Sequence, residues 1–308
     1  MFSTASDAAE RIAKLGWFMI VLAAIIFAGV MIAMLIAATR NRARDPRDVD
    51  LTETGTGWII WGGAVMPGVV LLAVFVVSLG AMGKFPEPNP IVTIHVTGHQ
   101  WWWQLDYEFP QHADEFRTAN ELHIPVGRPV RVLLTSADVI HSFWVPRLQG
   151  KLDVIPGDTN DLRLVARRAG TYAGACAEYC GAQHAHMGLV VVAEDSASFD
   201  HWVARQMAPG AAPRDSLAAQ GERLFVGGAC ASCHTVRGTS AVAQVGPDLT
   251  HVGGRLTLAA GTLPNSLASV EGWIANPQAL KPGALMPTLG VFDGAQLHAL
   301  AAYVSSLK

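Results

Sequence analysis

Residues 176–187 read Cys176-Ala177-Glu178-Tyr179-Cys180-Gly181-Ala182-Gln183-His184-Ala185-His186-Met187. This stretch puts two thiols, an imidazole and a thioether into one loop between apolar, strand-like runs. Such a soft donor set suits copper, whereas a structural zinc site rarely includes methionine. A further nitrogen stands in His141, within His141-Ser142-Phe143-Trp144-Val145-Pro146, an earlier loop of the same β-rich region. With it, Cys176 and Cys180 can bridge two copper ions, His141 and His184 can bind one each, and Met187 and the Glu178 backbone carbonyl can act as weak axial donors.

The surroundings of this loop are short β-rich runs at 91–97, 101–109, 129–135, 161–166 and 189–193, punctuated by Pro125, Gly127, Pro156, Gly157 and Gly170. That texture predicts an antiparallel barrel or sandwich ending near Met207. The other histidines outside the C-terminal region (His95, His99, His112, His123, His186 and His201) read as ordinary core or surface residues.

The four cysteines fall into two close pairs, with none left over. Two short-loop disulfides are the simplest reading of that count in an oxidising compartment, but the neighbours of each pair point elsewhere. Cys230-Ala231-Ser232-Cys233-His234 has the spacing that attaches a c-type haem, two thioethers holding the porphyrin and the histidine supplying an axial nitrogen. Met286 is the only methionine after His234 and stands ahead of the last predicted helix, as a second axial ligand would. His251 or His298 would instead give bis-histidine ligation and a lower potential. Helices are predicted at about 215–225, 266–275 and 294–306, separated from the β-rich region by the low-propensity linker Ala208–Pro213.

At the other end, Leu15 to Thr39 carries no charged residue, and a second uncharged run covers Trp58 to Met82. At about 1.5 Å per residue both exceed the roughly 30 Å hydrocarbon core of a bilayer. They read as a helical hairpin, the second helix kinked at Pro67. A cleaved signal peptide competes for the first run, but the run is longer than a usual signal core and a second span follows. Arg40, Arg42, Arg44 and Arg47 outweigh Arg11 and Lys14, so the positive-inside rule puts the intervening loop in the cytoplasm and everything after Lys84 outside. A formal charge of -3 with no basic run beyond this loop excludes nucleic acid as a partner.

The copper loop, Cys-x-Glu-x-Cys-x3-His-x2-Met with an upstream histidine, resembles that of subunit II of the haem-copper oxidases. Cys176, Glu178, Cys180, His184, Met187 and His141 match it position by position. Residues from about Arg214 to Lys308 resemble a class I cytochrome c, with Gly246-Pro247-Asp248-Leu249 after the haem signature. The order of hairpin, copper domain and cytochrome is that of the caa3-type oxidases. The resemblance implies a membrane protein in four parts: a transmembrane α-helical hairpin (1–84), a cupredoxin β-sandwich with a CuA centre (85–207), a linker (208–213) and an all-α cytochrome c domain (214–308).

It also implies a role. Electrons from cytochrome c, or from a quinol:cytochrome c oxidoreductase directly, would pass through haem c to the copper pair and on to subunit I. There oxygen is reduced to water with proton pumping, so this chain makes no bonds itself. Within Gly98-His99-Gln100-Trp101-Trp102-Trp103, Trp101 takes the position where electrons enter, and the Glu178 side chain would reach a magnesium ion at the subunit I interface. Subunits I and III and membrane lipid are the implied neighbours, in a bacterial inner membrane with both termini and both redox domains outside.

Two stretches depart from the family pattern. The glutamate that opens the second helix is replaced by Ile60, with Gly63 at the tryptophan position, so a proton entrance there is in doubt and Glu53 is a weak substitute. The Pro-Gly-Arg after the first copper loop is Pro156-Gly157-Asp158. A copper-containing nitric oxide reductase subunit and a membrane-tethered copper carrier are the rival functions. The fused cytochrome favours an oxidase over the first, and an enclosing ligand set beside a haem disfavours the second.

Overall fold

The computed structural model describes residues 3–39, 55–82, 90–109 and 115–308. Arg40, Arg42, Arg44, Arg47, Glu53, Lys84 and His112, which carry the expectations about orientation, a substitute proton entrance and one structural histidine, lie outside the described residues. The chain divides into two compact units, Met1–Ala9 with Pro88–Lys308, and Glu10–Glu87.

In the second unit, α1 (Asp7–Thr39) reaches back into the first and carries no charged residue from Leu15 onward. The second span comprises α2 (Thr56–Ile60), a π-helical turn (Trp61–Val65) and α3 (Met66–Ala81). Pro67 cannot donate to the carbonyl four residues before it, and its ring crowds that carbonyl. The π turn just ahead of it is one of the established ways to absorb this, where the sequence predicted a plain kink. Phe27, Leu35, Trp58, Leu71 and Phe75 are exposed, as suits helices whose solvent is lipid.

In the first unit, ten strands form two five-stranded sheets. They are β1 (Thr93–His99), β2 (Trp102–Glu108), β3 (Glu115–Ala119), β4 (Glu121–Pro125), β5 (Val130–Ser136), β6 (His141–Trp144), β7 (Leu152–Val154), β8 (Asn160–Leu164), β9 (Gly170–Cys176) and β10 (Gly188–Glu194). The sheets run β3-β2-β1-β5-β8 and β4-β10-β9-β6-β7. Alternate residues of β1, β2, β5 and β10 point inward, packing Ile94, Trp103, Leu105, Leu134 and Val191 between the layers. The expected antiparallel arrangement is broken at two places, since β1 pairs with β5 and β4 with β10 in parallel. Between β3 and β5 the chain crosses to the other sheet to make β4, so β5 returns to the first sheet alongside β1 in the same sense.

Helix α4 (Ser196–Met207), capped by Asp195, closes one end of the sandwich and sets Trp202 against Tyr107 and Phe116. The C-terminal region follows with α5 (Ser216–Gly227), the two-residue strands β11 (Thr257–Leu258) and β12 (Leu263–Pro264), and helices α6 (Leu267–Ala275), α7 (Pro277–Leu280) and α8 (Gly294–Ser306). Side-chain caps at Asp215, Ser266 and Asp293 start α5, α6 and α8 within about a residue of where the sequence places them. Phe225 on α5 meets Tyr303 on α8 edge-on at 5.7 Å, at the centre of a second apolar core. Segment 208–213, predicted to have little to bury, lies against this domain. The Gly210 amide donates to the Arg237 carbonyl at 2.8 Å, and His251 bonds the Ala208 carbonyl at 3.1 Å.

Candidate metal and haem sites

β9 ends at Cys176 and β10 begins at Gly188, so the copper loop bridges two adjacent strands of one sheet, and His141 opens β6 on the other side of β9. The donors predicted from two separate stretches of the chain therefore meet at one sheet end. Cys176 Sγ lies 3.7 Å from Cys180 Sγ, 3.9 Å from His141 Nδ1 and 3.2 Å from the Glu178 carbonyl oxygen. Cys180 Sγ lies 3.7 Å from His184 Nδ1 and 3.9 Å from Met187 Sδ. His141, Cys176 and Cys180 bring a nitrogen and two sulfurs to within 4.8 Å of one another, all buried. Both cysteines are free thiols, which leaves the disulfide alternative without support at this pair.

The electrostatics favour cations between the sulfurs. Burial pushes the Cys176 thiol up, but hydrogen bonds from His141 and nearby backbone outweigh this and bring it down to about 6. Burial and the charge of Cys176 push Cys180 up to about 12. One thiolate thus resists a second beside it, and bridging metal ions remove that conflict. Burial also pulls His141 down, yet its bonds to Cys176 and Asp138 leave it above its ordinary value.

Asp138, which sequence reasoning passed over, orients this imidazole. It accepts from His141 Nε2 at 2.8 Å, so Nδ1 faces the sulfurs, and it also accepts the Gln100 and Val139 amides. A methyl group on Gly98 would come within 2.7 Å of His141 Cδ2, so only glycine leaves room for the ring. Trp101 is half-buried and donates its indole N–H to the Cys180 carbonyl at 3.0 Å, while Gln100 bonds the same oxygen at 2.7 Å. Trp103 is instead a core residue, edge-on to His141 and Phe143. The Glu178 carboxylate is half exposed and lies 3.4 Å from Lys151 Nζ. Asp158 accepts the Thr159 amide within its own turn at 2.7 Å.

In the cytochrome region, Cys230 stands in the 3-10 turn Ala229–Ser232, with Cys233 and His234 following, at the end of α5. His234 Nδ1 donates to the Pro247 carbonyl at 2.8 Å, which leaves Nε2 for an iron atom. Burial holds this imidazole below its ordinary value, in the neutral form a ligand needs. A methyl on Gly246 would meet His234 Cε1 at 2.7 Å. Met286 is half-buried in the loop before α8, its carbonyl held by Gln278 at 3.0 Å. Val245 and Leu285, next in sequence to Gly246 and Met286, are each 74% exposed, apolar surface of the kind a porphyrin covers. His251 bonds a backbone carbonyl and His298 faces Glu271 at 3.3 Å, so both candidates for bis-histidine ligation are engaged elsewhere.

Residues 110–194 match the family model for the periplasmic domain of cytochrome c oxidase subunit II, and residues 218–308 match that for cytochrome c. Cytochrome c oxidase subunit 2 of Alkalihalophilus pseudofirmus is 37% identical over 290 residues, covering 91% of this chain and 82% of that protein. The chain belongs to the cytochrome c oxidase subunit 2 family. Subunit 2 of Bacillus sp. strain PS3 is 31% identical over 270 residues, covering 81% of this chain and 74% of its own. Among solved structures, the periplasmic domain of subunit II of Bradyrhizobium japonicum cytochrome oxidase aligns at 33% identity with a TM-score of 0.36, over 39% of this chain and 99% of that one.

Membership of the cytochrome c oxidase subunit 2 family makes this chain a component of a terminal haem-copper oxidase, alongside other subunits. The two domain matches imply a CuA centre and a haem, and the donor sets described above suit both. The apolar helices and the periplasmic domain match fit a membrane-anchored subunit.

Proposed function

We propose that this chain is the electron-input subunit of a proton-pumping cytochrome c oxidase, divided as 1–84, 85–207, 208–213 and 214–308 and set in a bacterial inner membrane with its redox domains outside. His141, Cys176, the Glu178 carbonyl, Cys180, His184 and Met187 would hold the CuA pair, and Cys230, Cys233, His234 and Met286 the haem c. When bound, these groups supply one-electron transfer from cytochrome c, or a quinol:cytochrome c oxidoreductase, toward subunit I. The meeting of those copper donors at one sheet end carries this reading.

The protein's own residues do the holding. Asp138 keeps the His141 tautomer, Pro247 keeps that of His234, and Trp101 ties the surface of the copper domain to the Cys180 carbonyl. The exposed Glu178 carboxylate is suited to a magnesium ion shared with subunit I. The outward orientation is supported by Ser3–Asp7. The Ala5 amide donates to the Arg147 carbonyl at 2.8 Å and Asp7 pairs with Arg167 at 2.9 Å, tying the start of the chain to the copper domain. Fusion of the cytochrome replaces bimolecular docking by a high effective concentration.

The test is gas uptake by the complex purified through this chain, with reduced cytochrome c as donor. Fast, cyanide-sensitive oxygen consumption is expected. Turnover of nitric oxide with only marginal oxygen uptake would assign the chain to a nitric oxide reductase instead.

A further inference from the structure

Lys281, in the loop after α7, is only 3% exposed. Its Nζ donates to three backbone carbonyls, those of Trp101 at 2.9 Å, His186 at 2.7 Å and Ala259 at 3.0 Å. An ammonium group has three N–H donors, so all are used. The acceptors come from three places: the aromatic turn of the copper domain, the copper loop between His184 and Met187, and the β11–β12 hairpin of the cytochrome domain. A buried ammonium ion is costly unless each donor is satisfied, and here carbonyl dipoles do so from both sides of a domain boundary. Burial draws the amine down to about 8, in keeping with a site closed to water.

The loop around Lys281 is fastened to the same boundary. Gln183 of the copper loop donates to the Pro282 carbonyl at 2.5 Å. A methyl on Gly283 would lie 3.8 Å from Trp101 Cη2 and 3.8 Å from Ala182 Cβ, so the turn packs directly on both. Gln278 binds the Ala284 and Met286 carbonyls at 2.6 and 3.0 Å, making the loop one piece as far as Met286. Trp101 in turn bonds the Cys180 carbonyl at 3.0 Å.

We propose that Lys281 is the positioning residue for electron passage within this chain, seating the loop that carries Met286 against Trp101 and the copper loop. This rests on the functional reading above. The electron lost at one centre is the electron gained at the other, no bond is made or broken, and the rate depends on how closely the two domains are held. Lys281 touches neither the donor atoms of the copper site nor those of the haem site and acts through backbone carbonyls alone.

Two measurements on the intact, cofactor-loaded oxidase test this. In the first, Lys281→Met keeps the length of the side chain and removes every donor. Loss of charge-assisted hydrogen bonds is expected to raise the opening equilibrium of the boundary by about tenfold or more. Amide exchange over 278–286 should accelerate to that extent, and haem-to-copper electron transfer after pulsed reduction should slow. The optical spectra of both centres and reduction of the haem by external donor should stay as they were. Unchanged exchange and an unchanged internal rate would overturn the proposal, as would spectra showing that a metal ligand had been lost.

The second needs no variant. Acetylation of the unmodified oxidase with an N-hydroxysuccinimide ester should modify Lys151, whose side chain is 50% exposed, far faster than Lys281. Equal labelling would overturn the proposal. If the unmodified oxidase passes no electron from haem to copper, the functional reading fails, while exchange and labelling still judge the seat by themselves.

Discussion

At the copper loop, donors from β6, β9 and the β9–β10 connection stand within hydrogen-bonding distances of one another, and Asp138 and Gly98 set the orientation of the His141 ring. In the cytochrome region the donors sit in separate loops, and among them only the His234 ring is oriented by a hydrogen bond of its own, to Pro247. The first site is built at the end of a sandwich, where paired strands place His141 and Cys176. The second has two cysteines whose thioether bonds to a porphyrin would do that work covalently. A metal site held by exchangeable bonds needs a prepared frame, and a covalently held cofactor can complete its own.

Breaking the prepared frame should have the largest effect. Cys176→Ser removes one of the two thiols placed to hold copper, so copper retention and oxygen uptake should both be lost while haem content stays normal, as metal-to-haem ratios and the optical spectrum would show. The contrast fails if the haem is lost with the copper.

Acidification should act on the same side. Copper binding needs thiolates and neutral imidazoles. Cys176 is poised at about 6 and His141 titrates above its ordinary value, so loading of the metal-free chain should fall as pH drops through that range. By the same linkage the depressed Cys176 thiol stabilises the metal-free domain fully above its ordinary value of 9.0, a contribution that fades as pH falls to about 6. Haem content, which thioethers at Cys230 and Cys233 would hold, should be flat over this interval.

Asp138→Asn keeps a hydrogen-bond partner but loses its charge, and copper affinity should fall by about 10- to 100-fold in a chelator competition. Gly246→Ala is the counterpart on the haem side. It crowds His234 and should shift the haem potential, leaving the copper spectrum unchanged. Asp293→Ala, which removes the capping box of α8, should have the smallest effect, about 1 kcal/mol with both spectra intact, measured as a small drop in the melting temperature of the cytochrome region.

The same contrast governs what could be read from the sequence. The copper donors and the Cys-x-x-Cys-His segment were legible because their chemistry demands particular residue types at fixed spacing. The runs that became β1, β2, β5, β8 and β10 were legible because their apolar residues alternate. β9 was legible only as the strand that had to lead into the copper loop, without bounds of its own, since Gly170-Thr-Tyr-Ala-Gly174-Ala-Cys176 has little strand propensity, and Gly174 is small because Leu189 and the Trp144 carbonyl press against it. Short β6 and β7 and the domain-closing α4 were missed, the last because its apolar face is only Phe199 and Trp202. Nothing in the sequence marks Asp138 or Lys281. Their roles depend on partners far along the chain, His141 being close but Gln100, Trp101, His186 and Ala259 not. No local pattern encodes such meetings.

Electron input through the cytochrome fixes the order in which the centres are reduced, and rapid anaerobic reduction of the purified oxidase by cytochrome c, followed at the haem and copper absorption bands, measures that order. The haem is expected to be reduced first and the copper pair second, and in Cys176→Ser reduction should stop at the haem. Copper reduction at the full rate in a chain deprived of its haem by Cys230→Ala with Cys233→Ala would contradict it.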